Sequence, residues 1–389
     1  ERMYKVWDYL RKNTDRRHPT SIAKMRKDEN INAYIGDKET INRLLKDMAN
    51  IMNLEDGGSD YKPEAEWRLY FDDFKKFYGD KERYERDDSD EDDSYIANVM
   101  RIKNLYYNRT FSEKEVDSII EGIMATRTLD SKSAQELVRK VEDNMTTAFY
   151  KRTPRHICKV QEPELADREL LKDNLAIIQK AIDDNVRIQF RFNGYSYEKK
   201  LEPVRAEMDE LSPYYIVASG GKYYLLAAKE YEGYKPNMSI WRIDLMTDIE
   251  IPGRNDRLHI KGIPRIPKKN VSNLPEKWSE DFQLKHLNMS FDKPVPVTLR
   301  IKSEKCEDNP KKRVRPGYTF LHDWFGDSFT YIRTEKEPPY DDIVRVECSP
   351  YGMAHWALQY SELVEVLEPE SLREDIKNKI KALNEKYSL

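Results

Sequence analysis

The chain is 389 residues long, too long for one hydrophobic core, with 35% charged residues and a formal net charge of −4. No apolar run approaches the ~20 residues of a membrane span, no segment reads as a targeting signal, and the acidic total argues against a non-specific polycation that coats nucleic acid. Cys158, Cys306 and Cys348 lie far apart without CxxC spacing, so neither a disulfide framework nor a zinc site is expected, and a cytoplasmic location fits best.

The charge is unevenly spread: residues 1–53 carry 12 Lys and Arg against 8 Asp and Glu, whereas residues 54–94 carry 7 against 16. The basic head contains three helical patterns. Val6 and Leu10 share a face of the first. Thr20 or Ser21 caps a second that holds Ile22 and Met25. Asp37 stands at an N-cap position before Ile41, Leu44, Leu45 and Met48, whose spacing gives an amphipathic third helix. Three short helices, the last basic on its free face, outline a helix-turn-helix. A wing is expected to follow, its strands formed by Trp67 to Phe71 and by Val99 to Tyr107. Between them the acidic block Asp87 to Asp93 is expected to be a solvated loop.

Two capped helices come next: Ser112 with Glu115 forms one capping box before Val116, Ile119, Ile120 and Ile123, and Ser133 with Glu136 a second before Leu137 and Val141. A further helix over Arg168 to Asp184 aligns Leu171, Leu175, Ile178 and Ile182. The period then changes from 3.6 to 2 at Val186, and Asn193-Gly194 reads as a type I′ hairpin leading into Tyr195 to Leu201. Strands on either side of Gly220-Gly221 make a second hairpin. Alternation places Tyr223, Leu225 and Ala227 on one face of its second strand, and Lys222, Tyr224 and Leu226 on the other. With Ile240 to Asp244 this counts five strands, enough for a small closed antiparallel barrel.

Proline-rich sequence from Pro252 to Pro275 reads as an irregular linker. Strands are expected at Val295 to Ile301, Tyr318 to Phe329, Ile343 to Cys348 and Leu363 to Leu367. A helical face of Met353, Trp356, Ala357 and Tyr360 and a final helix opened by Pro369, with Leu372, Ile376, Ile380 and Leu383 aligned, complete the chain.

The run Ser212-Pro213-Tyr214, then Tyr223-Tyr224-Leu225, then Trp241-Arg242-Ile243-Asp244 resembles the signature of the WYL-domain proteins, with Tyr in place of the eponymous Trp. Leu245 and Ser239 stand where basic residues are usual in that family. The head resembles the winged helix-turn-helix of WYL regulators, with Asp37-Lys38-Glu39-Thr40-Ile41 opening the recognition helix, and the resemblance implies that Lys38, Thr40, Asn42, Arg43 and Lys46 face duplex DNA. The last stretch, from His355 onward, resembles the C-terminal extension of the family, and this implies a homodimer.

The fold class expected is therefore α+β and multidomain. A winged helix-turn-helix with an acidic insertion occupies 1–110, a helical connector 111–184, a Sm- or SH3-like barrel 185–252, a linker 253–290 and an α+β extension 291–389. No HExxH, GxSxG, GK[ST] loop or GxGxxG is present, so recognition rather than catalysis is expected, with no cofactor and no metal.

Candidate contacts for a single strand or nucleotide-like ligand are Arg187, Arg191, Lys200, Arg205, Ser212, Tyr214, Lys222, Tyr223, Tyr224 and Arg242, because cations hold phosphates and phenol rings stack on bases. The plain alternative is that Tyr is common in strands and that Arg242 is satisfied by Asp244 on the same face. Two functions follow from the resemblance. One is a transcriptional regulator that binds duplex DNA and senses a ligand through the barrel. The other is a CRISPR or phage-defence accessory that binds single-stranded RNA and modulates an RNA-cleaving effector.

Overall fold

The structure, a computed structural model, describes residues 1–55, 61–72, 102–126, 129–151, 168–255, 260–303, 309, 314 and 316–387. The acidic block, Val99 to Arg101, Cys158 and Cys306 lie outside them. The chain forms two compact units, Glu1–Glu164 and Leu165–Leu389.

The first unit opens with α1 (Arg2–Asn13), α2 (Ile22–Met25), α3 (Asn32–Ile35) and α4 (Lys38–Asn53). Ser21 caps α2 by accepting from the Lys24 N–H, and the Asp37 carboxylate caps α4 by accepting from the N–H and hydroxyl of Thr40 at 2.9 and 2.7 Å. Val6, Leu10, Met25, Ile31, Ile35, Ile41, Leu45 and Met48 form a shared core. Strands β1 (Leu69–Tyr70) and β2 (Tyr106–Tyr107) pair antiparallel as a two-residue wing. Buried Asn53 ties α4 to this wing: its amide donates to the Leu69 carbonyl at 2.8 Å, and its carbonyl accepts from the N–H of Arg68 at 2.8 Å. Helices α5 (Glu113–Ala125) and α6 (Ser131–Met145) pack through Val116, Ile120, Val138 and Val141. The capping box of Ser112 and Glu115 is present. The second expected box is not, because α6 begins three residues earlier: Asp130 is its cap, and Ser133 donates to it from both its N–H and its hydroxyl.

The second unit begins with α7 (Arg168–Asp183), whose Leu171, Ile178 and Ala181 face a strongly curled antiparallel sheet. Its strands are β3 (Ile188–Tyr195), β4 (Leu201–Pro203), β5 (Asp209–Ser219), β6 (Lys222–Tyr231), β7 (Tyr234–Arg242) and β8 (Met246–Glu250), in the order β4-β3-β5-β6-β7 with β8 also on β3. The count is six rather than five. Among the described residues no ladder joins β7 to β8, so the sheet is a curled half-barrel in which a 3-10 turn at Ile243–Leu245 replaces the closing pairing.

Gly220 and Gly221 carry φ of 54° and 71°, as a type I′ hairpin requires. Asn193-Gly194 makes no turn. It lies inside β3, and Asn193 is 3% exposed because its amide donates to the Leu245 carbonyl and the Thr247 hydroxyl, each at 3.0 Å. Asn174 of α7, fully buried, donates to the carbonyls of Ile243 and Met246 at 3.2 and 2.8 Å. Two buried amides thus supply the donors that the turn between β7 and β8 lacks.

The proline-rich stretch is a strap on the sheet rather than a linker. It includes the short pair β9 (Arg254–Asn255) and β10 (Ile260–Lys261). The Ile263 carbonyl accepts from Arg187 N–H at 2.8 Å, and the Arg265 N–H donates to the Asn185 carbonyl at 2.9 Å. Gly262 has φ of 123°, and a Cβ there would meet Val186 and Ile251 at 2.8 Å, so only glycine lets the strap come this close. Further on, α8 (Phe282–Lys285) and Met289 cover the second face of the curled sheet against Val217, Leu226 and Met238.

A last sheet, ordered β12-β13-β11-β14, is built from β11 (Val295–Ile301), β12 (Thr330–Thr334), β13 (Asp342–Cys348) and β14 (Val364–Glu368). Helices α9 (Thr319–Phe325), α10 (Pro350–Gln359) and α11 (Glu370–Tyr387) pack against it around Trp356. The aromatic segment expected as a strand is therefore helix α9. Its Leu321 and Phe325, four apart, both reach the core, and burial outweighs the strand preference of its aromatics.

Candidate nucleic-acid interface

Two surfaces carry the residues expected to bind nucleic acid. On α4 the two central residues are in the wrong place: Asn42 is 0% and Lys46 5% exposed. They lie on the same side of the helix as Ala49 and Asn53, the side that ties to the wing, so burial removes them from any duplex-facing surface. Lys38 and Arg43 are exposed, and Thr40 is half-buried with its hydroxyl given to Asp37. Arg43 donates to Glu39 at 2.8 Å one turn back, and Asp47 is exposed one turn on. The accessible face therefore alternates Lys38, Glu39, Arg43 and Asp47 rather than presenting an unbroken cationic stripe.

In the curled sheet, Ser212 and Tyr214 are core residues. Ser212 is 1% exposed and accepts from the Ile266 N–H at 3.0 Å. Tyr214 is 2% exposed, donates to the Ile266 carbonyl at 2.7 Å and lies under the Arg265 guanidinium at 5.1 Å. Both hold the strap, which corrects their expected place at a ligand surface. Burial pushes the Tyr214 hydroxyl above its ordinary pKa although Ser212 opposes this.

The guanidiniums are met by carboxylates. Arg187 reaches Glu210 at 2.9 Å and Glu230 at 2.7 Å. Burial lowers its pKa, but these two acids outweigh that and leave it raised. Arg191 contacts Asp248 at 3.3 Å and donates to the Ala206 carbonyl, and Lys200 pairs with Glu198 inside the β3–β4 turn. Arg205 lies 3.2 Å from Asp209 and over the Trp241 ring at 5.7 Å. Asp209 is fully buried and also accepts from Lys229 at 2.8 Å; neither residue is part of the WYL-like run, and an isolated Asp at a strand start gives no sequence signal of that role.

Arg242 makes a two-pronged contact with buried Asp244, Nε to Oδ1 at 3.1 Å and Nη2 to Oδ2 at 2.5 Å. Burial disfavours its charge, yet Asp244 dominates and the pKa is raised. The internal pairing that the sequence left open for Arg242 is the one observed.

Tyr223 packs on the core beneath α7, whereas Tyr224 packs on the opposite face and is the cross-strand partner of Arg242. The two faces thus separate as the alternation predicts, and Tyr223 and Tyr224 are each half-buried. Tyr195, 46% exposed, is close enough to Arg242 to influence it electrostatically, as is Tyr224. Lys222, half-buried beside the glycine turn, forms no ion pair among the described residues. Tyr195, Lys222, Tyr224 and Arg242 therefore gather at the start of β6. Arg187, anchored on Glu230 at the other end of β6, is on the order of 20 Å away at ~3.3 Å per residue. The ten residues are therefore dispersed over the curled sheet rather than gathered in one pocket. The small group around Arg242 is what remains to meet a ligand: two rings, one ammonium and a guanidinium held rigid by its carboxylate. Among the described residues no group of three or more His, Cys, Asp or Glu is placed to hold a metal ion, and no helix is long and apolar enough to cross a membrane.

Residues 293–383 match the family described as the WCX domain, which bears out the resemblance to WYL-domain proteins and their C-terminal extension. No curated protein matches the chain. Solved structures similar to it include two of different description. One is proteasome accessory factor B/C (PafBC) of Arthrobacter aurescens, 16% identical over 74% of this chain and 40% of that one, with a TM-score of 0.22. The other is a CRISPR Cas-related protein, 13% identical over 76% of this chain and 77% of that one, with a TM-score of 0.30. The chain thus spans 40% of the length of the first.

Proposed function

We propose that this chain is a nucleic-acid-binding regulator of the WYL type that acts by recognition rather than catalysis, as a homodimer. Its curled sheet senses a nucleotide-like or single-stranded ligand and its helix-turn-helix delivers the response to duplex DNA. The observation that carries the proposal is the WCX domain at 293–383, following in sequence a curled sheet whose central hairpin bears the Tyr223-Tyr224-Leu225 run. Support for a ligand at that sheet comes from Tyr195, Tyr224 and Arg242, where rings and a pre-oriented guanidinium stand together.

A second reading keeps the fold and replaces the duplex by single-stranded RNA, as an accessory to a defence effector. The observation favouring it is the surface of α4, where Asn42 and Lys46 are buried and Glu39 holds Arg43.

The two readings separate in one set of titrations of the full chain with duplex DNA and single-stranded RNA at two salt concentrations. A regulator of duplex DNA shows sequence-selective duplex binding whose logarithm falls with the logarithm of salt by ~0.9 per phosphate contacted. Glu39→Lys releases Arg43 and adds a cation, so it should strengthen duplex binding about tenfold at low salt and steepen the slope by about one to two contacts. Duplex binding unmoved by Glu39→Lys, beside tight RNA binding weakened by Arg242→Gln, would move the function to the second reading. Indifference of the protein to both nucleic acids would end both.

A further inference from the structure

Within the first unit a cavity of about 850 Å³ lies among the α1–α2 turn, the segment from Tyr107 to Glu115 and the residues after α6. It is remote in sequence from α4 and is not part of the surface expected to read DNA. Arg16, Arg17, Arg109 and Lys151 line it, together with the half-exposed rings of Phe111 and Phe149. Phe149 stacks on His18 at 4.0 Å and 14°, which holds its ring in place.

Arg109 is the unusual member. Its Nε and Nη2 are buried and make no hydrogen bond among the described residues, and no carboxylate there pairs with it. Burial, reinforced by the charge of Arg11, lowers its pKa, and the opposing charges of Tyr107 and Asp15 do not restore it, the reverse of Arg187 and Arg242, which their bonded acids leave raised. Arg11 is itself engaged by Asp8 at 3.1 Å and by the Asn144 carbonyl at 3.0 Å. The acids on the cavity wall are largely committed elsewhere. Asp15 accepts from His18 and from the Arg17 N–H, Glu115 closes the Ser112 capping box, and Asp117 accepts from the Tyr150 hydroxyl at 2.5 Å.

A guanidinium with two buried nitrogens that lack hydrogen-bond partners is costly, and the cost falls when an anion arrives. A cavity of this size, with cations and accessible ring faces on the same wall, suits a phosphate joined to a flat heterocycle. We infer that this cavity is a nucleotide-binding site in which Arg109 supplies the charge that draws in the phosphate, Arg16, Arg17 and Lys151 surround it, and Phe111 and Phe149 receive the base. The curled sheet belongs to the other unit and contributes no residue to this cavity. The same chemistry is presented by a free nucleotide and by the end of a short RNA.

The test is calorimetric titration of the full chain with AMP, ribose 5-phosphate, adenosine and a five-nucleotide single-stranded RNA, with thermal unfolding in parallel. AMP should bind saturably, and ribose 5-phosphate and adenosine each at least tenfold more weakly. Arg109→Gln should weaken AMP at least tenfold and, by removing an uncompensated charge, raise the Tm of the ligand-free protein. Arg16→Gln with Arg17→Gln, both exposed, should weaken AMP several-fold without moving that Tm. RNA binding tighter than AMP, with the same dependence on Arg109, identifies the strand end as the source and upholds the site. Absence of saturable binding by AMP and RNA, or an Arg109→Gln protein that binds as the parent does, overturns it. Binding abolished by Arg242→Gln and untouched by Arg109→Gln overturns it equally, since the ligand would then sit on the curled sheet.

Discussion

Asn193 and His286 are buried polar side chains whose work is visible only in three dimensions. Asn193 satisfies two groups at the end of the 3-10 turn, so Asn193→Ala leaves buried acceptors without a donor and should cost about 2–3 kcal/mol, measured as a fall in the urea midpoint of the second unit. His286 is 5% exposed, stacks on Phe282 at 4.1 Å and holds the Ser290 carbonyl at 2.8 Å through Nδ1. Burial lowers its pKa from the ordinary 6.5, and the bond to Ser290 only partly offsets this. The unfolded chain therefore binds more protons than the folded one as the pH drops, and stability is lost on falling through about 6.5. Unfolding midpoints should decline between pH 7.5 and pH 5.5, and His286→Gln should flatten that decline; an unchanged slope would remove His286 as its cause. The sequence exposes neither role: Asn-Gly carries the local signal of a turn, and a lone His is silent until its neighbours are known.

Helices with caps and long apolar periods were the most legible parts. Asp37, Ser112 and the stripe of α4 locate their helices within a residue, because a cap and a hydrophobic face are both local properties. Before α6, Ser133 is a plausible cap and Asp130 a better one, and only the helix start decides between them. Edge strand β12 left no trace in the sequence pattern, since four of its five residues are exposed and it has no buried alternation to display. The functional surfaces were least legible. Charge on a helix or strand is readable from sequence, but whether a neighbour has already neutralised it depends on contacts such as Arg43 with Glu39 or Arg205 with Asp209. Helix α11 shows the same division. Leu372 is buried, whereas Ile380, Leu383 and Tyr387, on the same stripe, are 51%, 45% and 67% exposed. With the homodimer proposed above, Ile380→Asp with Leu383→Asp should convert dimer to monomer in light scattering, with the Tm of the second unit moved by no more than a few degrees. A dimer that persists would place the interface elsewhere.

Across the chain, the division into Glu1–Glu164 and Leu165–Leu389 sorts the nucleic-acid contacts proposed above. The first unit holds α4 and the Arg109 cavity, and the second holds the Arg242 group, so variants in each unit report on different encounters. The second unit also contains a mechanical linkage. Asn174 grips the Ile243 and Met246 carbonyls from α7, and between those two residues stands Asp244, the anchor of Arg242. An anion that captured Arg242 would slacken its hold on Asp244, and strain in that short turn would be felt first as a tug on the helix that opens the unit, making α7 the natural lever by which occupancy becomes movement.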